Sequence, residues 1–400
     1  MKKIFYIVMI LQPIIDVLTS LMVRFYPNIA SIGQLLRAII LVAVFLFITF
    51  KTTNRRRDYS IILVLIVFSL LYLYNQYFIL RNPIFLEFSA ILKFNYFILL
   101  TMGFIEFLKL KLIDKSDIEK VLFINALIIF SILLISIVTK TSFFSYSYEQ
   151  KGVIGWFFSA NEIGVIIFLL MSVIFHKLMD KAVYLILFFL MFYIFIQIGT
   201  KVSVYGLLLP PIILLIFLLR KKNNIKEIIK VGSVFLLSGL LILFSKTIVR
   251  DFSKLNNPVV NDTILNKTNA ILSGRLEFLK MIGNKFINSP INVFLLGLGH
   301  QENGVLLKGV EMDFFDILFN FGIFGFLIYL VFTLIVFKEA IFNIFKKDTS
   351  LEKYTFSVTL IIGMSIGILI GHVYLAPAVS TYLALISGYV FLREDNLKEK

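Results

Sequence analysis

Apolar residues follow one another along this chain in unbroken stretches of span length. They do not alternate, and they do not form a single stripe of helical period. A helix crosses the hydrocarbon core of a bilayer with about 20 mostly apolar residues. Stretches of that kind cover residues 4–23, 32–50, 59–80, 84–104, 121–139, 153–175, 182–199, 202–219, 229–246, 314–337, 354–372 and 374–392. The pattern therefore predicts an all-α polytopic membrane protein with about twelve transmembrane helices, a single integral membrane domain over 1–400. The longest polar interval, 247–313, contains no apolar run of span length and reads as one large loop between spans nine and ten.

Composition agrees. Hydrophobic residues make up 59% of 400, about 236 residues, and twelve helices of about 20 residues would use about 240. Charged residues are only 16%, against about 25% in soluble domains. A soluble enzyme and a disordered chain are excluded. A membrane β-barrel is disfavoured, because its strands alternate apolar and polar positions. With no cysteine, the chain has no disulfide framework, thiolate nucleophile or zinc-thiolate site.

The net charge of +15 would suggest a nucleic-acid partner on a soluble protein. On a membrane protein it reads as topogenic, since Lys and Arg hold short loops on the cytoplasmic side. With the N-terminus inside, the inside segments carry 24 basic residues and the short outside loops only Arg24, Arg81, Lys140, Lys151 and Lys201. This predicts both termini in the cytoplasm, the 247–313 loop outside the cell, and no nucleic-acid partner. Met1-Lys2-Lys3 before an apolar run resembles a signal peptide, but Gln12, Pro13 and Asp16 interrupt the run and no Ala-x-Ala-like site follows. It reads as a retained first span. Pro13 and Pro210-Pro211 should kink their helices. Gly363, Gly367 and Gly371 form a small-xxx-small pattern that suits close helix packing.

Within the loop, Ser273 can cap a helix over about 273–287. Leu276, Leu279, Ile282 and Phe286 share one face of it, so the helix is expected to lie on the outer membrane surface. Ser289-Pro290 ends it. Ile291–Leu298 is too short to span and reads as a re-entrant or interfacial segment, closed by Gly297-Leu298-Gly299-His300.

Ionisable residues inside spans are expensive and are functional candidates by default. At about 1.5 Å per residue, Asp16 lies in the outer half of span one and Arg37 about 8 Å below the outer face; Lys93 and the pair Asn161-Glu162 lie about 14 Å down. Lys201, Asp313, Asp316 and His372 fall at outer ends. Asp16 and Arg37 can form a structural ion pair. The shared depth of all these residues is better explained by a polar cavity open to the outer face, with a cationic surplus suited to an anion. Arg275, at the start of the loop helix, could clamp a diphosphate bidentately, helped by the helix N-terminus. Glu311, Asp313 and Asp316 could be a base, a metal site, or charges complementing a helix dipole. Three scattered histidines do not make a zinc site, Gly297-x-Gly299 lacks the context of a dinucleotide motif, and two Asn-x-Thr sequons at 261–263 and 266–268 are of the sort that arise by chance.

Four features together resemble the O-antigen ligase and Wzy-type polysaccharide polymerase superfamily. They are Gln-Pro-Ile-Ile-Asp at 12–16, Gly-Trp-Phe-Phe-Ser-Ala-Asn-Glu at 155–162, Ser-Gly-Arg at 273–275, and Gly-Leu-Gly at 297–299 followed by Glu-Met-Asp…Asp…Phe-Gly-Ile-Phe-Gly at 311–325. The Ile, Phe, Lys and Asn bias is similar to that of members from low-GC Gram-positive bacteria. The resemblance implies a GT-C-like membrane fold and a substrate of sugar repeat units on undecaprenyl diphosphate, with capsule, exopolysaccharide or teichuronic-acid-type polymer as product. It implies an outer-loop arginine, here Arg275, and a basic residue after span seven, here Lys201. Ligases of the superfamily carry a histidine eleven residues before the glycine that is Gly322 here. This chain has Glu311 there, which favours a polymerase and leaves the base open among Glu311, Asp313 and His300.

The expected reaction is an inverting glycosyl transfer without metal or cofactor. Arg275, Lys201, Arg37 and Lys93 would stabilise the diphosphate leaving group, and a carboxylate would take the acceptor proton. Asp16, Asn161, Glu162, Asp316 and His300 would line the site. Expected partners are the lipid-linked oligosaccharide, the growing polysaccharide, membrane lipid and other capsule-assembly proteins. The alternatives are a transporter or flippase for lipid-linked sugars and a peptidoglycan glycan-strand polymerase. A transporter site would sit near the midplane between repeats, and no internal repeat is evident.

Overall fold

The computed structural model describes residues 2–26, 31–145, 151–179, 181–221, 225–243, 274–302, 305–306, 309–371 and 373–392. Ser273, the two sequons and His372 lie outside the described residues. The chain is helical throughout: α1 Lys2–Ile10, α2 Gln12–Phe25, α3 Ile32–Lys51, α4 Arg55–Tyr74, α5 Ile84–Lys109, α6 Lys115–Val138, α7 Ala160–Leu178, α8 Ala182–Ile196, α9 Lys201–Gly206, α10 Leu209–Arg220, α11 Ile225–Leu243, α12 Arg275–Ile287, α13 Ile291–Leu296, α14 Asp313–Phe345, α15 Leu351–Ile370 and α16 Pro377–Val390. A minimal antiparallel pair, Gln301–Glu302 with Val305–Leu306, follows α13.

Among the described residues, eight helical segments are long and apolar enough to cross a membrane. The pair α1 and α2, bent by 42°, makes a ninth. The bend falls where Pro13 lacks an N–H and crowds the carbonyl one turn back. The stretches expected at 182–199 and 374–392 form the shorter apolar helices Val183–Ile196 and Pro377–Val390. The stretch at 229–246 falls on α11, which carries Lys226, Glu227 and Lys230 in its opening turns. This is a multi-pass all-helical membrane protein. Pro210-Pro211 opens α10 and separates it from α9 within one continuous apolar segment.

Basic turns gather at one end of the bundle. Lys2 pairs with Asp117 at 2.7 Å, Lys115 with Glu352 at 3.1 Å and Lys177 with Glu119 at 2.5 Å. Arg220 donates to the carbonyls of Phe345 and Lys346, and Lys353 to that of Val390 at 2.7 Å. These cations meet the free carbonyls at helix C-termini, where the dipole favours them. We refer to this as the basic end and to the other as the loop end.

Two segments at the loop end differ from expectation. α7 begins at Ala160, not near 153. Gly152 and Gly155 have φ of 69° and 63°, and a bridge between Phe143 and Gly155 folds 152–159 into a turn. Ser159 caps α7 by accepting from the Glu162 N–H. Glu162 therefore sits in the first turn of a helix, where the dipole favours a carboxylate. The helix α14 extends to Phe345, 33 residues, but breaks at Gly322, whose φ and ψ are 70° and −175°. A Cβ there would lie 2.4 Å from the Leu295 carbonyl, so only glycine allows α13 to dock in the break.

The loop helix α12 forms nearly where it was read, starting at Arg275 after Gly274. Part of its apolar face packs within the protein. Leu279, Ile282 and Phe286 pack into a second hydrophobic cluster with Val293, Leu298, Val310, Met312 and Phe319. The Phe286 ring stacks on Phe294 at 5.2 Å and meets Phe319 at 5.4 Å. Segment 291–298, residues 310–312 and the start of α14 supply the apolar surface that these side chains meet.

Candidate functional site

Polar residues from several helices meet at the loop end. Asp16 of α2 pairs with Arg37 of α3, which is 9% exposed. Tyr96 and Glu162 also lie within electrostatic range of Arg37. Glu162 has Asp16, Arg37, Lys93 and Asp313 around it. Lys93, midway along the mostly buried α5, is exposed and makes no hydrogen bond among the described residues. Asn161, half-buried beside Glu162, makes none either. Lys201 opens α9 after Thr200, whose hydroxyl accepts from the Ser203 N–H at 3.1 Å, and α9 packs against α7.

The charges acting on Glu162 are the cations Arg37 and Lys93 and the carboxylates Asp16 and Asp313, the last joining from α14.

Arg275 meets Glu311, which lies two positions before Asp313 in the chain. Arg275 Nη2 is 3.3 Å from Glu311 Oε2; the arginine side chain is 11% exposed and the glutamate 42%. Arg275 Nε is buried and has no hydrogen-bond partner among the described residues, and the same holds for Arg37 Nε. Glu311 is held at φ 62°, a left-handed conformation that costs energy for a residue with a side chain and that clusters at functional sites.

Asp313 and Asp316 hold backbone in place. Asp313 Oδ2 accepts the N–H groups of Val373 and Tyr374 at 2.8 and 2.7 Å, fixing the link between α15 and α16. Asp316 accepts from Val310 N–H at 2.7 Å and from Met312 N–H at 3.1 Å, shaping the turn that carries Glu311. No side-chain partner among the described residues gives either one a metal-ligand set.

His300 is not in contact with Arg275 or Glu311. Its backbone N–H donates to Glu87 Oε1 at 2.8 Å, and its Nδ1 lies 3.2 Å from Glu87 Oε2. The Tyr72 hydroxyl donates to the same oxygen. Because the carboxylate accepts, Nδ1 carries a proton; Nε2 lies 3.5 Å from Asn320 Nδ2. Glu87 and Tyr72 are both fully buried. Around them a π-helical turn, Asn75–Ile79, ends α4. Asn75 accepts from Asn292 at 2.9 Å, and Gln76 donates to the Gly297 carbonyl at 3.0 Å. The 291–300 segment is thus bonded to the π-helical turn after α4 and to α5. Sequence reading missed Glu87, Tyr72 and Asn320. Glu87 satisfied the same criterion as Asp313, an acid in the first turn of a span, but its partner is 213 positions away.

The arrangement offers two buried guanidinium Nε–H donors without partners among the described residues, and a carboxylate beside one of them. It suits an anionic group delivered along a lipid surface. An apolar cavity of about 160 Å³ between α1, α2, α3 and α5 extends from Gln12 and Tyr96 toward the basic end.

Comparison with curated proteins gives no match. The family model for O-antigen ligase like membrane proteins matches residues 1–261 and 259–396, which is nearly the whole chain. Helical architecture, the order of motifs along the chain and this match agree, and the chain belongs to the O-antigen ligase like membrane protein family.

Proposed function

We propose that this protein is a glycosyltransferase that joins oligosaccharide repeat units carried on undecaprenyl diphosphate, acting as a polymerase at the outer face of the cytoplasmic membrane. Family membership supports glycan transfer by a membrane protein. The observation that supports the assignment of roles is the Arg275–Glu311 pair, with a buried Arg275 Nε that has no partner among the described residues. A buried donor without an acceptor costs free energy unless a ligand supplies one, and a diphosphate oxygen would.

In this reading Arg275 binds the diphosphate through its planar fork, assisted by Lys201 and by Arg37 and Lys93 across the cleft. The acceptor sugar hydroxyl attacks the anomeric carbon. The glycosidic bond forms as the bond to the diphosphate oxygen breaks, and the leaving group departs as an anion. Glu311 takes the hydroxyl proton, its other oxygen pairing with Arg275. One direct displacement inverts the anomeric centre. Asp313 and Asp316 act as positioning residues for the Glu311 turn. Asp16, Asn161 and Glu162 contribute acceptors for sugar hydroxyls, and Glu87 and His300 fix the re-entrant segment that forms the floor. Twelve spans with both termini cytoplasmic, a GT-C-like layout and a product of the capsule or exopolysaccharide type complete the reading.

The test is reconstitution of purified protein with lipid-linked repeat units on the one hand and the lipid-linked peptidoglycan precursor on the other. Elongation of the repeat units alone is the expected result. Elongation of only the peptidoglycan precursor would assign the protein to cell-wall glycan synthesis.

A further inference from the structure

At the basic end, α6, α7 and α15 bring Glu119, His176 and Glu352 together. One carboxylate oxygen from each glutamate and one ring nitrogen of His176 lie within 4.8 Å of one another. His176 Nδ1 is 3.0 Å from the Val173 carbonyl oxygen. A carbonyl only accepts, so Nδ1 carries the proton and Nε2 presents its lone pair. A backbone carbonyl fixing the far N–H is the arrangement that orients metal-ligating histidines.

Glu119 is 6% exposed, and its Oε1 is buried with no hydrogen-bond partner. Its other oxygen is engaged by Lys177 at 2.5 Å. Glu352 likewise meets Lys115 through Oε2 at 3.1 Å. Each glutamate is thus held by a surface lysine through one oxygen. In Glu119 the other oxygen is buried and has no donor among the described residues, which a cation would satisfy.

We propose that Glu119, His176 and Glu352 form a binding site for a divalent transition-metal ion, with Zn²⁺ the best match. One imidazole and two carboxylates suit Zn²⁺ at bond lengths of about 2.0–2.2 Å, with water in the fourth position. Donor atoms around such an ion sit about 3.4 Å apart, so the cluster closes by about 1 Å, a side-chain adjustment. Fourteen residues of α7 separate His176 from Glu162, about 21 Å along the helix. The ion therefore does not touch the candidate glycosyl-transfer site. It fastens three helices at their basic ends.

Full-length protein in detergent, without a histidine tag and stripped with EDTA, is titrated with Zn²⁺ while bound metal and unfolding temperature are measured. The chain has no cysteine and three histidines, so few other groups compete. One equivalent bound at low micromolar or tighter affinity, with an unfolding temperature several degrees higher, is expected. His176→Ala and Glu352→Gln should each weaken binding at least tenfold and abolish the temperature shift, whereas His300→Ala should retain both. Glu352 is 29% exposed, so its substitution decides the matter if His176→Ala does not fold. No binding by the wild type, or undiminished binding in Glu352→Gln, overturns the site.

Discussion

Replacing Arg275 by Lys separates what this residue does for catalysis from what it does for the fold. The Arg275–Glu311 contact is a single 3.3 Å approach, and the glutamate is 42% exposed. A partly solvated pair of that kind stabilises by about 0.2–1 kcal/mol. Lysine keeps the charge and can still reach Glu311, so the unfolding temperature should change little. The planar fork and the buried Nε–H are lost, and with them the bidentate grip on a diphosphate. A preorganised charge contact to a developing anion is worth about 3 kcal/mol, which corresponds to a rate loss of about 10²–10³. The variant should be extracted, folded and monodisperse like the wild type, yet extend lipid-linked repeat units at least a hundredfold more slowly. The assay is single-turnover elongation by purified protein at matched concentration, with products resolved by size. Wild-type elongation by Arg275→Lys would refute the diphosphate clamp.

Glu311→Gln should slow elongation by about 10²–10⁴ without changing the unfolding temperature; full activity in that variant would remove Glu311 as the base. Glu87→Ala leaves the buried Tyr72 hydroxyl and the His300 N–H without their acceptor, at about 1–3 kcal/mol each. Thermal scans should show earlier unfolding, and an unchanged transition would mean that the 291–300 segment is held by packing alone. Cysteines placed at Arg56 and Lys280 in this cysteine-free chain report orientation: an impermeant thiol reagent should label intact cells at 280 and not at 56, and the reverse would invert the topology.

Much of the helical scaffold was legible because apolar runs of span length and clusters of Lys and Arg are local features. So was the loop helix, from the spacing of Leu279, Ile282 and Phe286, although not the surface that covers them. The start of α7 was misread because Val153–Phe158 is apolar enough to count as span, while the positive φ at Gly152 and Gly155 turns it into a loop. Asp16 and Arg37 pair as their positions suggested. The Glu87–His300 contact could not be read from either segment alone, since it depends on how α13 docks at the Gly322 break. The inward turn of Asp313 toward Val373 and Tyr374 depends on the same long-range packing.

The most direct test of the account is the stoichiometry of transfer in sealed proteoliposomes containing the protein and a lipid-linked repeat unit, with EDTA present and without nucleotide or ion gradient. Release of one undecaprenyl diphosphate for each glycosidic bond formed, with inversion at the new anomeric centre, is the predicted result. Movement of intact lipid-linked units across the bilayer with no undecaprenyl diphosphate released would contradict it.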